Sequence, residues 1–215
     1  MKKGLFITFE GGEGAGKSTQ IKLLEDYLKV KNEKVITTKE PGGTDVGLEI
    51  RKLLVCGDKD KFDATAEALL YFADRHIHLS KKIWPAMEDG YIVMSDRFAD
   101  STVAYQYFGY NKRVSKEVLQ QLYAIAVGEF KPDLTIILDI DPKLGLERSF
   151  NKAKNMEVKE LRFEGRELEF HQNLRNGFLE IAKEEPKRCV VLDANKTVEE
   201  LHKDIIAVVN QRLGL

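Results

Sequence analysis

Gly11-Gly12-Glu13-Gly14-Ala15-Gly16-Lys17-Ser18 decides how this chain is read. The stretch fits G-x-x-x-x-G-K-[ST] at every fixed position. Its surroundings fit too. An apolar run, Leu5–Phe9, precedes it, and a helical segment, Thr19–Val30, follows with Ile21, Leu24 and Leu28 on one side. Each part has a chemical purpose. Glycines let successive backbone N–H groups turn inward around an anion. The new helix adds its positive N-terminal end. Lys17 carries a fixed charge suited to β- and γ-phosphates, and the Ser18 hydroxyl suits Mg²⁺. A glycine turn without a ligand has no need of Gly-Lys-Ser in this register. Gly11, Gly12, Glu13, Gly14, Ala15, Gly16, Lys17, Ser18 and Thr19 are therefore expected to cradle the phosphates of a nucleotide.

Further out lie four more short apolar runs: Val35–Thr38, Tyr91–Met94, Leu134–Leu138 and Val190–Leu192. Most lack strict alternation, as expected of strands buried on both faces. Segments with helical spacing separate them. In Ser115–Val127, the residues Val118, Leu119, Leu122, Ile125 and Ala126 share one face, and Ser115 reads as an N-cap. Val198, Leu201, Ile205, Val208 and Val209 do the same near the end. Alternating strands and helices predict an α/β fold of the P-loop NTPase type: three layers, with a five-stranded parallel sheet flanked by helices. Ligands of such sheets bind at the carboxyl ends of the strands.

The chain has 215 residues and no linker-like tract, so residues 1–215 read as a single domain. With 34 basic and 35 acidic side chains, the balance argues against general nucleic-acid binding. Cys56 and Cys189 form no metal or disulfide pattern, which suits a reducing compartment. The run after Met1-Lys2-Lys3 is too short for a secretory signal, and no stretch reaches the roughly 20 apolar residues of a membrane span, so a cytoplasmic location is expected. One segment differs in composition. Asn151–Glu167 is mostly charged, and reads either as a solvated helix–loop–helix or as a mobile cationic lid.

Three further motifs carry chemistry. Asp96-Arg97-Phe98 follows the third apolar run, where Asp96 can hold Mg²⁺ and Arg97 can face a phosphate; the plainer reading is a surface ion pair. Glu40-Pro41-Gly42-Gly43-Thr44 forces a turn after the second strand, yet a turn alone explains neither Glu40 nor Arg51 on the helix that follows. Tyr71-Phe72-Ala73-Asp74-Arg75 lies in a long helical segment beginning near Asp63. There an aromatic ring and an arginine one turn apart can stack on a base and reach its edge.

Together these motifs resemble the thymidylate kinase family across nearly the whole chain. The matching residues are Phe9-Glu10-Gly11, Glu40 to Thr44, Tyr71 to Arg75, Asp96-Arg97-Phe98 with Ser101, Thr102 and Ala104-Tyr105-Gln106, Lys131 to Thr135 into Leu138-Asp139, Asp141-Pro142 with Arg148, and Arg162-Phe163-Glu164. The resemblance implies transfer of the γ-phosphate of ATP to dTMP, with Mg²⁺, in a homodimer. It also implies roles. Glu13 would bind the deoxyribose 3′-hydroxyl. Tyr71, or less readily Phe72, would stack on thymine. Arg75 would read the base edge with Ser101 or Thr102. Tyr105 would occupy the place of a ribose 2′-hydroxyl. Arg97 would grip the acceptor phosphate and Arg51 would be a second clamp. Glu40, Pro41 and Gln106 would border the nucleoside pocket. Residues of about 148–167 would form the lid.

No arginine stands inside the P-loop, so the resemblance implies a lid-arginine member of the family, with Arg148 and Arg162 as catalytic candidates beside Lys17 and Arg97. Leu161 departs from the pattern, standing where many relatives carry Asp. The implied mechanism is in-line transfer by positioning and charge neutralisation, without a covalent intermediate. The rival readings are a kinase for another nucleoside monophosphate and a nucleotide switch. Against the switch, the chain has no N-K-x-D element, and the acceptor-side residues would then have no purpose.

Overall fold

In the computed structural model, which describes residues 4–58, 60–154 and 162–214, the first apolar run is strand β1, Leu5–Glu10. It has no polar face. Phe6 packs into one hydrophobic core, and Ile7 and Phe9 into a second on the opposite side. A strand covered on both faces needs helices above and below its sheet. The other runs become β2 (Val35–Lys39), β3 (Ile92–Asp96), β4 (Leu134–Asp139) and β5 (Cys189–Asp193). Every pairing is parallel, in the order β2-β3-β1-β4-β5. The expected three-layer α/β architecture is found, with strand ends displaced by one or two residues.

The helices are α1 (Lys17–Val30), α2 (Asp45–Val55), α3 (Ala64–His78), α4 (Trp84–Glu88), α5 (Ala99–Thr102), α6 (Lys116–Ala126), α7 (Pro142–Ala153), α8 (Leu168–Glu184) and α9 (Val198–Leu213). Two π-helical stretches, Leu79–Ile83 and Val103–Gly109, continue α3 and α5. On one face of the sheet, Ile21, Leu24 and Leu28 of α1 meet Leu201, Ile205 and Val209 of α9. On the other, Phe72 of α3, Leu119 of α6, and Leu174 and Phe178 of α8 share a core with Phe6.

Caps set several helix starts. Ser115 accepts a hydrogen bond from the Val118 N–H, as the spacing predicts. Thr197 and Glu200 form a capping box at α9. The apolar stripe of α6 is wider than its contact with the core. Leu119 and Ala126 are buried, whereas Val118 and Ile125 are 39% and 81% exposed.

The Phe6 side of the sheet also holds polar groups. Thr8 and Thr135 share a hydrogen bond of 2.8 Å between neighbouring strands. Thr135 accepts another from Arg188, whose guanidinium clasps Asp100 in a two-bonded pair at 2.6 and 2.8 Å. This chain of contacts ties α5 to the sheet. The chain leaves β1 toward β3 and β2, and later returns to β4 on the other side. The crevice where the direction switches therefore opens beside the end of β1.

The charged segment expected to form a lid starts in α7 and is described again from Arg162. Residues 155–161, including Leu161, lie outside the described residues. Among the described residues no helix is long and apolar enough to cross a membrane.

Leu24 is fully buried between sheet and helices. Leu24→Ala is expected to lower unfolding free energy by about 2–5 kcal/mol, seen as a lower denaturant midpoint with an unchanged slope.

Candidate active site

The loop after β1 is shaped by backbone crowding. Gly14 has φ 65°, and a Cβ there would stand 2.0 Å from the Gly145 carbonyl oxygen. Only glycine fits that conformation and that space. α1 then begins at Lys17 with no side-chain cap to take its first N–H groups, and its first turn borders the crevice. The Lys17 ammonium donates to the carbonyls of Gly11 (3.2 Å) and Gly12 (2.9 Å). Burial, and then the neighbouring Arg97, lower its proton affinity. A desolvated cation here gains most from an anionic ligand.

A cavity of about 770 Å³ opens at the carboxyl ends of the strands. Its wall includes Glu13 through Thr19, Glu40, Pro41, Arg51, Tyr71, Arg75, Asp96, Arg97, Ser101, Thr102, Tyr105, Gln106 and Arg148. Most of the sequence-predicted site thus converges on one space. Gly11 and Gly12 stand behind the loop, lining a much smaller cavity with His171 and Arg175. Their carbonyls face Lys17.

Ser18 donates to Asp96 at 2.9 Å, bringing together the two expected metal-facing groups. They offer only oxygen donors, a set that fits a hard cation such as Mg²⁺, which keeps several waters. Arg97 follows Asp96 with φ 73°, a conformation that costs energy in a residue with a side chain. Its guanidinium binds the Gly11 carbonyl (2.9 Å), Ser101 (3.1 Å) and Glu13 (3.2 Å), and lies over the Tyr105 ring. The Tyr105 hydroxyl also donates to Glu13. Burial alone would raise the Glu13 carboxyl, but Arg97 and Lys17 outweigh it and hold the group below the ordinary carboxylate range.

Glu10 carries no sequence-assigned role, yet it positions this wall. Fully buried, it accepts from the Phe98 N–H at 2.7 Å and from Ser101 at 2.5 Å. Burial, then the nearby Asp100, push its carboxyl up to about 8.

At the far end, α3 presents Tyr71 and Arg75 to the cavity. Phe72 faces the other way into the core, packed against Tyr123, because adjacent helical positions point about 100° apart. This corrects the expectation that Phe72 borders the ligand. Arg75 is buried. Its Nε donates to Glu40 (2.8 Å) and one Nη2 bond reaches Thr102 (3.0 Å). Its Nη1 has no partner among the described residues. Glu40 is held in turn by His78 at 2.9 Å, and His78 reaches Thr38 at 2.7 Å. Asp74 accepts from the Gly42 N–H within the Pro41 turn, where the Glu40–Pro41 bond is cis. Arg51 donates to the Pro41 carbonyl at 2.9 Å.

The two lid-arginine candidates part company. Arg148 lines the cavity and donates to the Ala194 carbonyl at 3.1 Å. Arg162 is not brought there. Its guanidinium is buried against α2 and α3, bonded to the carbonyls of Asp58 and Leu54 (2.9 Å each) and to Glu67 at 2.5 Å. The fully buried carboxylate of Glu67 draws that cation inward, so the expectation of Arg162 as a catalytic group is corrected in this structure. Phe163 and Glu164, its neighbours, do line the cavity. Burial, then the like charge of Glu13, push Glu164 up to about 7.

Sequence reading also missed Lys196 and Thr197 after β5, which line the cavity beside Arg148. Their position after a strand end was the available signal. Glu67 and His78 gave none, because a helical Glu is ordinarily solvent-facing and a helical His is found on either side.

A family model described as Thymidylate kinase matches residues 9–205. The thymidylate kinase of Caulobacter vibrioides is 46% identical over 215 residues, covering 100% of each chain. That of Sulfurihydrogenibium sp. is 44% identical over 209 residues, covering 97% of this chain and 98% of the relative. The crystal structure of thymidylate kinase from Ehrlichia chaffeensis superposes with a TM-score of 0.77 at 33% identity, covering 97% of this chain and 99% of that one.

Burial, then the like charge of Glu40, push Asp74 up to about 6, against the pull of Gly42, His78 and Arg75. The fold thus favours the neutral carboxyl. Its contribution is full below the ordinary carboxylate value and is lost as pH rises through about 6. Asp74→Asn keeps an acceptor for Gly42 but cannot ionise. Urea unfolding from pH 4 to 8 is expected to show wild type losing stability relative to this variant up to about pH 6 and holding constant above. A difference independent of pH would contradict the assignment.

Proposed function

The chain belongs to the thymidylate kinase family and is a phosphotransferase acting on dTMP, and from that premise we propose which of its residues recognise and activate the two substrates. The carrying observation is a pair of buried polar atoms without partners among the described residues, Arg75 Nη1 and Gln106 Oε1, on side chains that line the cavity. Arg75 offers a donor and Gln106 an acceptor. Thymine presents the converse edge, an O4 acceptor beside an N3–H donor. Cytosine presents an amino donor and an N3 acceptor, which would leave both protein groups unsatisfied at a cost. Tyr71, one turn before Arg75, supplies the stacking plane.

The sugar and phosphate follow. Arg97 and Tyr105 both bind Glu13 Oε1, and the carboxylate's other oxygen takes the 3′-hydroxyl. Tyr105 fills the space of a 2′-hydroxyl. Arg97 grips the acceptor phosphate, supported by Arg51. ATP lies along Gly14–Thr19, with its γ-phosphate at Lys17 and its remainder toward Lys196 and Thr197. Ser18 and Asp96 would hold Mg²⁺, which would supply positive charge to neutralise the phosphates of ATP. Arg148 is the arginine that steadies the moving phosphoryl group. The acceptor phosphate is already anionic, so in-line attack needs no strong base. Convergent cations bring two polyanions together.

We also assign the whole chain to one kinase domain, closed by a lid at about residues 148–167, and to a homodimer. α3 and α6 pack together and leave Leu69, Val118 and Ile125 exposed, an apolar face suited to a second copy. The free thiols of Cys56 and Cys189 suit a cytoplasmic location.

The decisive assay is ADP release from Mg-ATP with dTMP, dUMP, dCMP, UMP, AMP and GMP. dTMP is expected to turn over fastest and dCMP poorly; preference for a cytidine or purine acceptor would overturn the roles of Arg75 and Gln106. Lys17→Ala should abolish transfer in a folded protein, and normal turnover would remove Lys17 from the mechanism. Arg97→Ala should raise the KM for dTMP by roughly ten- to a hundredfold, matching about 1.5–3 kcal/mol for bonds to a charged group. Loss of ATP affinity with unchanged dTMP affinity would contradict the clamp.

A further inference from the structure

A glutamine amide can face a ligand with either its oxygen or its nitrogen, and the two faces have opposite hydrogen-bonding sense. What holds one face toward the base decides the pyrimidine that fits. Gln106 sits in the π-helical stretch Val103–Gly109 and is fully buried. Its Nε2 donates to Glu67 Oε2 at 2.9 Å. A carboxylate only accepts hydrogen bonds, so Glu67 captures the amide nitrogen and leaves Oε1 for a ligand.

The other oxygen of Glu67 is engaged from two sides. Oε1 accepts from the Tyr110 hydroxyl at 2.8 Å and from Arg162 Nη2 at 2.5 Å. Glu67 and Arg162 are both wholly buried. Arg162 also holds the carbonyls of Leu54 and Asp58, which anchors the pair to α2 and the loop after it. Glu67 is thus locked in register, with Oε1 facing donors and Oε2 facing Gln106.

We propose that Glu67 is a specificity-determining positioning residue: it touches no substrate, but orients the Gln106 amide so that an acceptor faces the base and selects pyrimidines bearing N3–H. Arg162 serves the same arrangement by fixing Glu67. The inference rests on the reading of Gln106 given above.

Glu67→Gln tests it sharply. Arg162 can only donate, so the new amide oxygen takes the Oε1 place and its NH₂ takes the Oε2 place. That NH₂ must donate, and Gln106 turns over to accept, presenting its own nitrogen to the base. The ratio of kcat/KM for dTMP over dCMP is expected to fall by roughly tenfold or more. The ratio for dTMP over dUMP should stay constant, since both bases share the O4 and N3–H edge. A merely structural role would lower all three substrates together.

Gln106→Leu, measured alongside, separates the two levels. If Gln106→Leu lowers the dTMP/dCMP ratio and Glu67→Gln does not, the Glu67 inference is wrong and the base reading stands. If Gln106→Leu leaves the ratio unchanged, the base reading fails and the inference falls with it. The unaltered protein gives an independent test should Glu67→Gln not fold. With ¹⁵N-glutamine labelling, and Gln106→Leu to assign the signal, Gln106 should show one set of Nε2 protons shielded from solvent exchange, with and without dTMP. Two sets, or protons exchanging freely, would show a turning amide and overturn the proposal.

Discussion

The site depends on a positive charge buried at the end of the central strand. The Lys17 ammonium sits behind the P-loop on two peptide carbonyls, with Arg97 nearby and the open N-terminus of α1 beside it. Burial and like charge both oppose that cation. The surrounding carboxylates of Asp96, Glu13 and Glu10 offset part of the penalty. A polyanionic ligand would offset more, so the same arrangement that costs stability in the free protein favours binding of phosphates.

Those carboxylates are not equivalent. Glu13 is held low by Arg97 and Lys17 although buried, whereas Glu10, deeper and close to Asp100, is pushed up. Glu10 spends its oxygens on the Phe98 N–H and Ser101, fixing the segment that carries Arg97. Two acids at either end of one glycine turn thus divide the work, one held low at the cavity wall and one shaping the wall from behind.

A similar division holds among the arginines. Arg75 and Arg162 are both deeply buried cations on carboxylates, yet one lines the cavity and the other is turned away from it. What separates them is the donor left over. Arg75 keeps a buried Nη1 without a partner among the described residues, whereas Arg162 is bonded to two carbonyls and to Glu67. Counting arginines in a charged segment cannot make that distinction, because it is set by partners distant in sequence.

The sequence alone determined the sheet and its P-loop. Five apolar runs, most without strict alternation, point to a doubly covered parallel sheet, and Gly-Lys-Ser after such a run leaves little freedom for Lys17 and Ser18, because strand, turn and helix are local in the chain. The acceptor side became legible through motif resemblance, which marked Glu40, Arg75, Arg97 and Tyr105 for the cavity they all reach. Only tertiary structure decided that Phe72 is core, that Arg148 rather than Arg162 faces the cavity, and that Glu67, His78 and Glu10 orient the side chains around it. Those choices rest on hydrogen bonds such as Arg162–Glu67 and Phe98–Glu10, between residues 95 and 88 positions apart. A carboxylate's partners are fixed by which donors the fold buries beside it, and no local pattern in the chain encodes that.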